Sequence, residues 1–379
     1  MMVRLTITYG LSGSSPSAFA TFGFVVSGAL KDLATGSRCS EMALSMLEKL
    51  SVKVSPARAM FRAWGFCLSY TRPLHDASKA LMDGYKLGMQ SGDTESAAYC
   101  LLGDLSASFV QGKKLESLEE DCIVFMGHMR ELGRTKIVEL SSSILESVQY
   151  LLGRTDTCDL LLEEIIRDPQ PHELPRLVYS IAMFAYLGDY EKGATYAIQY
   201  GDMYLSKSPG AITAQGEVFS RGVCLYAMAR KSKKSIYKKY GRRVRATIQR
   251  WVDQGYVNGN HHLRLLIAED LALDRRQLDA ASKAYQEAIS IAARSGYLKD
   301  VGLINERYAD FLLLTMEDRE QAAFRLKESI RYYSDWGSVC KVERLRNQFA
   351  ELLPVPAAIV DTTEGGAISR DFSSAFSIS

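Results

Sequence analysis

Paired cysteines are missing from this sequence, and that shortage excludes two classes of small-domain scaffold. Its seven cysteines form no CxxC pair, and their number is odd. A disulfide framework or a four-cysteine zinc site would need such pairing. We therefore expect reduced, largely buried thiols in a cytoplasmic protein. The cysteines are Cys39, Cys67, Cys100, Cys122, Cys158, Cys224 and Cys340.

Long apolar runs are also absent. The longest covers residues 18–30, "AFATFGFVVSGAL", which is shorter than the roughly 20 residues that a membrane-spanning helix needs. The opening "MMVRLTITYG" has neither the apolar core nor the small-residue cleavage site of a signal peptide. We expect a soluble intracellular chain in which residues 18–30 form a buried helix.

The usual catalytic motifs do not occur. There is no GxxxxGK[ST] loop, no HExxH and no GxSxG elbow. His261 and His262 are the one histidine cluster, and they follow "NGN", which favours an exposed helix start. A zinc site would need third and fourth ligands, and no spacing supplies them. The sequence therefore predicts a non-enzyme with no catalytic, metal-binding or cofactor-binding residues.

Composition indicates a folded chain without a strong charge preference. Apolar residues make up 47% and charged residues 24% of the 379 positions, enough for a large core. The formal net charge is only +2. This balance argues against nucleic acid as a general partner.

Strand patterns are scarce, and helical spacing recurs along the chain. In residues 278–297, small and aromatic side chains repeat at i, i+3, i+4, i+7 and i+11, one stripe of a helix that a second helix can approach closely. The stripe consists of Ala281, Ala284, Tyr285, Ala288 and Ala292. The next two helices predict inward faces of the same kind, carried by Leu303, Tyr308, Phe311 and Leu312 and by Ala322, Leu326, Ile330 and Tyr333.

Helix-breaking residues divide the chain into similar units. The first helices of successive pairs are predicted to begin near residues 15, 56, 93, 135, 173, 211, 258 and 298, a period of roughly 40 residues. Gly188-Asp189-Tyr190 is the clearest tetratricopeptide-like turn. We predict an all-α, right-handed α-solenoid of about eight antiparallel helix pairs plus a closing helix, over residues 1–353. Residues 354–379, rich in Gly and Ser, are predicted to be a disordered tail or inter-domain linker.

Trp336 and Gly337 stand between two helical runs. Gly337 can adopt the left-handed conformation that ends a helix, and Trp336 can then cover the junction. The final helix is predicted to face inward with Val339, Val342, Leu345, Phe349 and Leu352. We interpret the pair as a seam between helices.

One segment, residues 230–251, lacks acidic residues altogether. An apolar stripe at helical spacing runs through it, formed by Ile236, Tyr240, Val244, Ile248 and Trp251. The remaining faces are basic, which fits either the solvated side of a core helix or a face for an anionic partner. The candidate face consists of Lys233, Lys234, Lys238, Lys239, Arg242, Arg243 and Arg245.

Four stretches resemble the helical repeat region of large multidomain signalling proteins. They are "MVRLTITYGLSGSSPSAFATFGFVVSG", "GSRCSEMALSMLEKL", "MDGYKLGMQSGDTESAAYC" and "AAFRLKESIRYYSDWGSVCKVERLRNQF". Relatives of that kind join a serine/threonine-kinase-like domain, an AAA/STAND ATPase, a tetratricopeptide-like region, a GAF domain and often a histidine kinase. Ser338 departs from the alanine usual there, and the catalytic domains have no counterpart in this chain.

The resemblance implies one internal, non-catalytic module. It favours a helix for "VRLTITYG" and a regulatory or protein-interaction role, as sensor or scaffold, toward neighbouring signalling domains. A free-standing adaptor that uses residues 230–250 on an anionic partner is the alternative. A third hypothesis, an enzyme, would require a convergent set of titratable residues.

Overall fold

The computed structural model describes residues 1–50, 54–161 and 173–353, and its regular elements are all helical in these ranges. The first half contains α1 Met2–Tyr9, α2 Ser15–Ala29, α3 Leu33–Lys49, α4 Pro56–Ala63, α5 Ser69–Thr71, α6 Leu74–Ser91, α7 Thr94–Gln111, α8 Leu115–Glu131 and α9 Thr135–Leu151. A π-helical turn, Trp64–Leu68, joins α4 to α5, so these form one continuous helical segment.

The second half continues the helical pattern. It contains α10 Leu174–Leu187, α11 Tyr190–Tyr200, α12 Met203–Lys207, α13 Ile212–Ser232, α14 Ser235–Asp253, α15 Asn260–Leu271, α16 Leu278–Arg294, α17 Leu298–Phe311, α18 Arg319–Trp336 and α19 Val339–Gln348. Short 3₁₀ turns occur at Asp159–Leu161, Val257–Gly259 and Arg275–Gln277, and a π-helical turn, Leu312–Met316, follows α17. Within the described ranges no helix has the length and apolar character needed to span a membrane.

Helix starts occur near each predicted position, but α7 and α9 pack chiefly on the preceding helices α6 and α8, so these two are not the first helices of their pairs. Helices or helical turns begin at residues 15, 56, 94, 135, 174, 212, 257 and 298. The local cause is visible at the third start, where the Asp93 carboxylate accepts a hydrogen bond from the Ser96 amide at 3.2 Å and caps α7. The predicted helix for "VRLTITYG" is confirmed as α1.

Most long helices pack chiefly against a neighbour in the chain, as in α2 with α3, α6 with α7, α15 with α16, and α17 with α18. The alanine stripe of α16 is fully buried, and so is Tyr285. Because these side chains are small, a neighbouring helix can approach α16 closely. The two backbones then make the dispersion contacts that larger side chains would otherwise make. The predicted inward stripe of residues 278–297 is confirmed.

The last helices pack against helices from the middle of the sequence. The indole Nε1 of Trp336 donates a 3.1 Å hydrogen bond to the Lys113 carbonyl, just before α8. Gly337 ends α18 at φ +97°, and Trp336 is 1% exposed. The seam interpretation of this pair is therefore confirmed, and its partners are α8 and α9 as well as α19.

Three expectations about burial need correction. Residues 18–30 are helical through residue 29, but Phe22 and Val25 lie on an exposed face, so the helix is half-buried. Val339 is exposed because it occupies the first turn of α19, where the helix has not yet reached the core. Ile236 is exposed for the same reason at the start of α14. The predicted tail, residues 354–379, lies outside the described residues.

Candidate functional site

Helix α17 carries charged groups through the centre of the fold. Lys299, Asp300, Glu306 and Arg307 are each no more than 4% exposed. Charges at such depth persist only when they are paired and hydrogen-bonded, because desolvating an isolated charge costs many kcal/mol. Their partners come from six other helices and form three clusters, which we name after the acids at their centres.

The Asp300 cluster joins Asp300 to His261, His262, Lys299 and Tyr186. Oδ2 of Asp300 lies 2.9 Å from Nε2 of His261 and 3.1 Å from Nε2 of His262. Oδ1 accepts from the Tyr186 hydroxyl at 2.6 Å and from the Lys299 ammonium at 3.0 Å. One carboxylate therefore holds α10, α15 and α17 together.

Both histidines lie in the first turn of α15, as the sequence predicted, but the prediction that they are exposed is wrong. Their exposed fractions are 1% and 3%. The His262 ring stacks on Phe219 with centroids 3.8 Å apart, and the His261 ring faces Tyr297 at 4.6 Å. Aromatic partners on one side and a carboxylate on the other allow these polar rings to be buried.

The cluster lowers the pKa values of Asp300 and His262. Burial alone would raise the pKa of Asp300, but the Lys299 charge and the histidine hydrogen bonds outweigh it and hold this pKa well below its ordinary range. Burial, and then repulsion by His261, lowers the pKa of His262 to about 3. His262 is therefore neutral at physiological pH and donates from Nε2 to an ionised Asp300.

His261, His262 and Asp300 are, within the described part of the chain, the group that offers three metal-ligating atoms close together. Two histidines and a carboxylate are a common ligand set for divalent metals. Here the ammonium of Lys299 already neutralises Asp300. A divalent cation would add unbalanced positive charge in a buried site, so the geometry favours a hydrogen-bonded carboxylate over a metal centre.

The Glu306 cluster lies further along α17. Oε1 of Glu306 accepts from the Lys341 ammonium at 2.7 Å and from the Tyr190 hydroxyl at 3.0 Å. Oε2 accepts from the Tyr333 hydroxyl at 3.1 Å. These contacts join α17 to α11, α18 and α19 and saturate the carboxylate.

The Glu269 cluster completes the series. Glu269 Oε1 accepts from Nε of Arg307 at 2.9 Å, while Oε2 contacts Arg230. Arg307 also reaches Asp310 at 2.7 Å. Burial would raise the pKa of Glu269, but the two guanidinium groups outweigh it and lower that pKa. Arg230, which begins the acid-free segment of the sequence, is thus an interior residue.

The basic candidate face divides into two parts on α14. Arg242 and Arg245 point to one side, where each lies 3.0 Å from a carboxylate oxygen of Asp270. The other five candidates, Lys233, Lys234, Lys238, Lys239 and Arg243, have no ion pair with a described residue.

Helical geometry aligns part of this face. Lys239, Arg243 and Arg250 follow one another at i, i+4 and i+11, and therefore share a side of α14. We call these three residues the basic row. The Arg243 guanidinium lies over the Tyr240 ring at 5.1 Å, which holds it against the helix.

The buried clusters escaped the sequence analysis because their members are far apart in the chain. Tyr186 and Asp300 are separated by 114 positions, and His261 and Asp300 by 39. At 100° per residue, Lys299, Asp300, Glu306 and Arg307 lie on one side of α17, within an arc of about 120°. Local spacing therefore predicts a solvated face there, and the burial of these charges depends on contacts with other helices.

Comparison with models of known protein families found no match to this chain, and a search of curated proteins found none similar to it. The resemblance to the repeat region of signalling proteins therefore stays a prediction.

Proposed function

We propose that this chain is a non-catalytic regulatory and protein-interaction module, a sensor or scaffold, of a signal-transducing ATPase or kinase. In this proposal the helices form a right-handed α-solenoid of about eight antiparallel, tetratricopeptide-like pairs. The neighbouring domains, or a protein that they recruit, are the partners. The seven free thiols are consistent with a cytoplasmic location.

The observation that carries the proposal is the packing of successive helices on one another along the chain. Proteins of this type present side chains from several units on one extended surface, which suits the docking of peptides or domains. Helix starts near the eight predicted positions, roughly 40 residues apart, support the same interpretation.

The chemistry of the interior supports a non-catalytic role. Each central carboxylate of the three clusters accepts hydrogen bonds from ammonium, guanidinium, imidazole or hydroxyl groups of the same chain. Groups engaged in this way hold helices in place, whereas a general acid or base must reach a substrate atom. The clusters are therefore interpreted as determinants of helix arrangement.

The open reading frame on either side of the coding region tests the parent architecture. We expect nucleotide-binding and kinase motifs upstream, and GAF or histidine-kinase motifs downstream. Stop codons close to both ends would contradict the module and favour an adaptor. Steady ATP hydrolysis by the purified chain, abolished by a substitution in one of the three clusters, would contradict the non-catalytic assignment.

A second candidate function, a free-standing adaptor for an anionic partner, is favoured by the five cations in and just before α14 that have no ion pair with a described residue. A labelled acidic peptide, such as a poly-glutamate, is a suitable probe. The affinity of the chain for this peptide should fall steeply as salt is added, because exposed charges separated by about 10 Å are largely screened at 0.1 M ionic strength.

Matched variants separate this surface from the rest of the molecule. The double variant Lys239→Gln/Arg243→Gln should weaken binding of the acidic peptide by about tenfold or more. Arg242→Gln/Arg245→Gln removes the same number of charges from the side already neutralised by Asp270. Equal losses in the two variants would show that the peptide senses net charge only, which contradicts a defined face.

A further inference from the structure

A cavity of about 330 Å³ lies where the basic row ends. Three distant parts of the chain enclose it: the end of α2 with the turn after it, the segment 202–210, and the last turns of α14. The volume is within the range of about 300–1,000 Å³ that is common for small-molecule sites. We call it the α14 cavity.

Two cations line the α14 cavity, and neither has an ion-pair partner among the described residues. They are Lys31, just after α2, and Arg250, the last member of the basic row. Asp202 is the carboxylate of the lining, and it shares the Arg221 guanidinium, at 3.1 Å, with Glu217, at 2.8 Å. Two lining cations against one partly neutralised carboxylate leave a positive balance, which favours an anionic ligand.

The lining hydroxyls are engaged elsewhere. Thr247 donates to the Arg243 carbonyl at 3.2 Å, and Ser206 donates to the Asp202 carbonyl at 2.9 Å. Both cations therefore have hydrogens to offer a ligand. A guanidinium can bind two oxygens of a phosphate at once, and an ammonium adds a third contact.

Part of the cavity lining is apolar. It includes Trp251, Leu33, Leu205 and Pro209, and the Trp251 ring packs edge-on against the buried Tyr70 at 5.4 Å between centroids. An indole held in place offers a flat surface for a ring or another planar group.

The backbone around the cavity shows two features that bring its walls together. Lys31 has φ +58°, a conformation that non-glycine residues seldom adopt and that costs of order 1 kcal/mol. A Cβ atom on Gly28 would lie 2.7 Å from Cβ of Pro209, so the end of α2 approaches the segment 202–210 closely. The strained turn places Lys31 in the lining of the cavity.

We propose that the α14 cavity binds a small phosphomonoester with a flat body, of the size of a nucleoside monophosphate. Its phosphate would contact Arg250 and Lys31, and its planar part would lie against Trp251. Such a ligand would bridge α2, α12 and α14 and stabilise their arrangement. The ligand site would exist even if the chain bound no protein.

Calorimetric titration of the purified full chain tests this proposal with four probes: AMP, 1-naphthyl phosphate, adenosine and inorganic phosphate. We expect saturable binding of at least one of the two planar phosphomonoesters, and binding weaker by about tenfold or more for adenosine and for inorganic phosphate. Equal affinity for AMP and adenosine, or for the phosphomonoesters and phosphate alone, would overturn the proposal. So would a lack of binding by both phosphomonoesters at about 1 mM, the weak end of specific affinity.

Three variants assign the binding to the cavity. Arg250→Gln should weaken binding of whichever phosphomonoester has the higher affinity by about tenfold. Lys31→Gly removes the ammonium while relieving the left-handed backbone, so it should weaken binding without lowering the unfolding temperature. Lys136→Gln removes an exposed cation of α9 that does not line the cavity, and it should change neither property. A loss with Lys136→Gln equal to that with Arg250→Gln would overturn the assignment.

Discussion

The ammonium group of Lys341 in α19 lies 2.7 Å from Oε1 of Glu306 in α17, and both side chains are no more than 5% exposed. This contact connects the last helix to the helix at the centre of the fold. Two tyrosine hydroxyls complete the carboxylate's hydrogen bonds. A buried pair of this kind is costly to break from one side, because the remaining charge has no solvent and no partner.

Lys341→Met should therefore lower the free energy of unfolding by about 3–5 kcal/mol. Urea denaturation followed by circular dichroism measures it. The double variant Lys341→Met/Glu306→Gln should recover much of the loss, since the amide keeps hydrogen-bonding capacity without a charge. The exposed pair Arg331–Glu328 is the control, and Arg331→Met should cost no more than about 1 kcal/mol. Equal losses of unfolding free energy in Lys341→Met and Arg331→Met would contradict the burial of the Lys341–Glu306 pair.

Stability should fall in mild acid because of His262. Its pKa is about 3 in the folded chain against an ordinary value of 6.5, so the unfolded chain binds the proton more readily. The free energy of unfolding is unaffected by protonation of this histidine above about pH 6.5. It decreases as the pH falls from there toward 3, by up to about 1.4 kcal/mol per pH unit. Asp300, His261 and Lys299 face this ring. The depressed pKa of Asp300 adds a loss in the same direction at still lower pH.

Unfolding measured between pH 7 and pH 4 checks this dependence. His262→Gln keeps an N–H donor for Asp300 but cannot take up a proton, so its stability should vary less with pH than that of the natural chain. His75→Gln changes an exposed histidine and should leave the pH dependence as it was. Parallel pH profiles for all three proteins would refute the role given to His262.

Gly337→Ala should destabilise the chain by about 1–2 kcal/mol, because φ +97° is strained for any residue with a Cβ. Gly127→Ala in the middle of α8 is the opposite case. No heavy atom lies within 4 Å of the added methyl group there, so the change should stabilise by about 0.5–1 kcal/mol. Thermal unfolding of the two variants measures the contrast. Shifts of the same sign would contradict the backbone geometry of the seam.

Thiol reactivity should follow burial. Cys39 and Cys340 are half-buried, and the other five cysteines are buried. Burial raises the pKa of Cys100 and Cys122 to about 12, so their reactive thiolate forms are scarce. An aromatic disulfide reagent should modify two thiols in the native chain and seven in urea. Replacing Cys39 and Cys340 by serine should remove the native reaction, and rapid labelling of more than two thiols would contradict this packing.

Local sequence signals predicted the helices well. Caps such as Asp93 and terminators such as Gly337 act within a few residues, so they can be recognised without knowing the fold. The alanine stripe of α16 was recognisable for the same reason. Solvent exposure was harder to predict at helix starts, where Val339 and Ile236 kept the helical period but lay outside the core.

The buried clusters could not be predicted in this way. His261 and His262 are polar and follow a turn, so every local criterion placed them in solvent. Their burial depends on Asp300, Phe219 and Tyr186, which come from other helices. The division of the basic face had a similar cause, since Arg242 and Arg245 are paired by Asp270, an acid beyond the acid-free segment.

The hydrogen bond from Trp336 to Lys113 spans 223 positions of sequence. In an open array each unit touches only its neighbours, so units can be deleted one at a time with gradual loss of stability. Here removal of α18 and α19 would uncover apolar surface on α8 and α9 more than 150 residues earlier. The two halves of the chain should therefore melt in a single transition, and shortening from the C-terminus should fail abruptly.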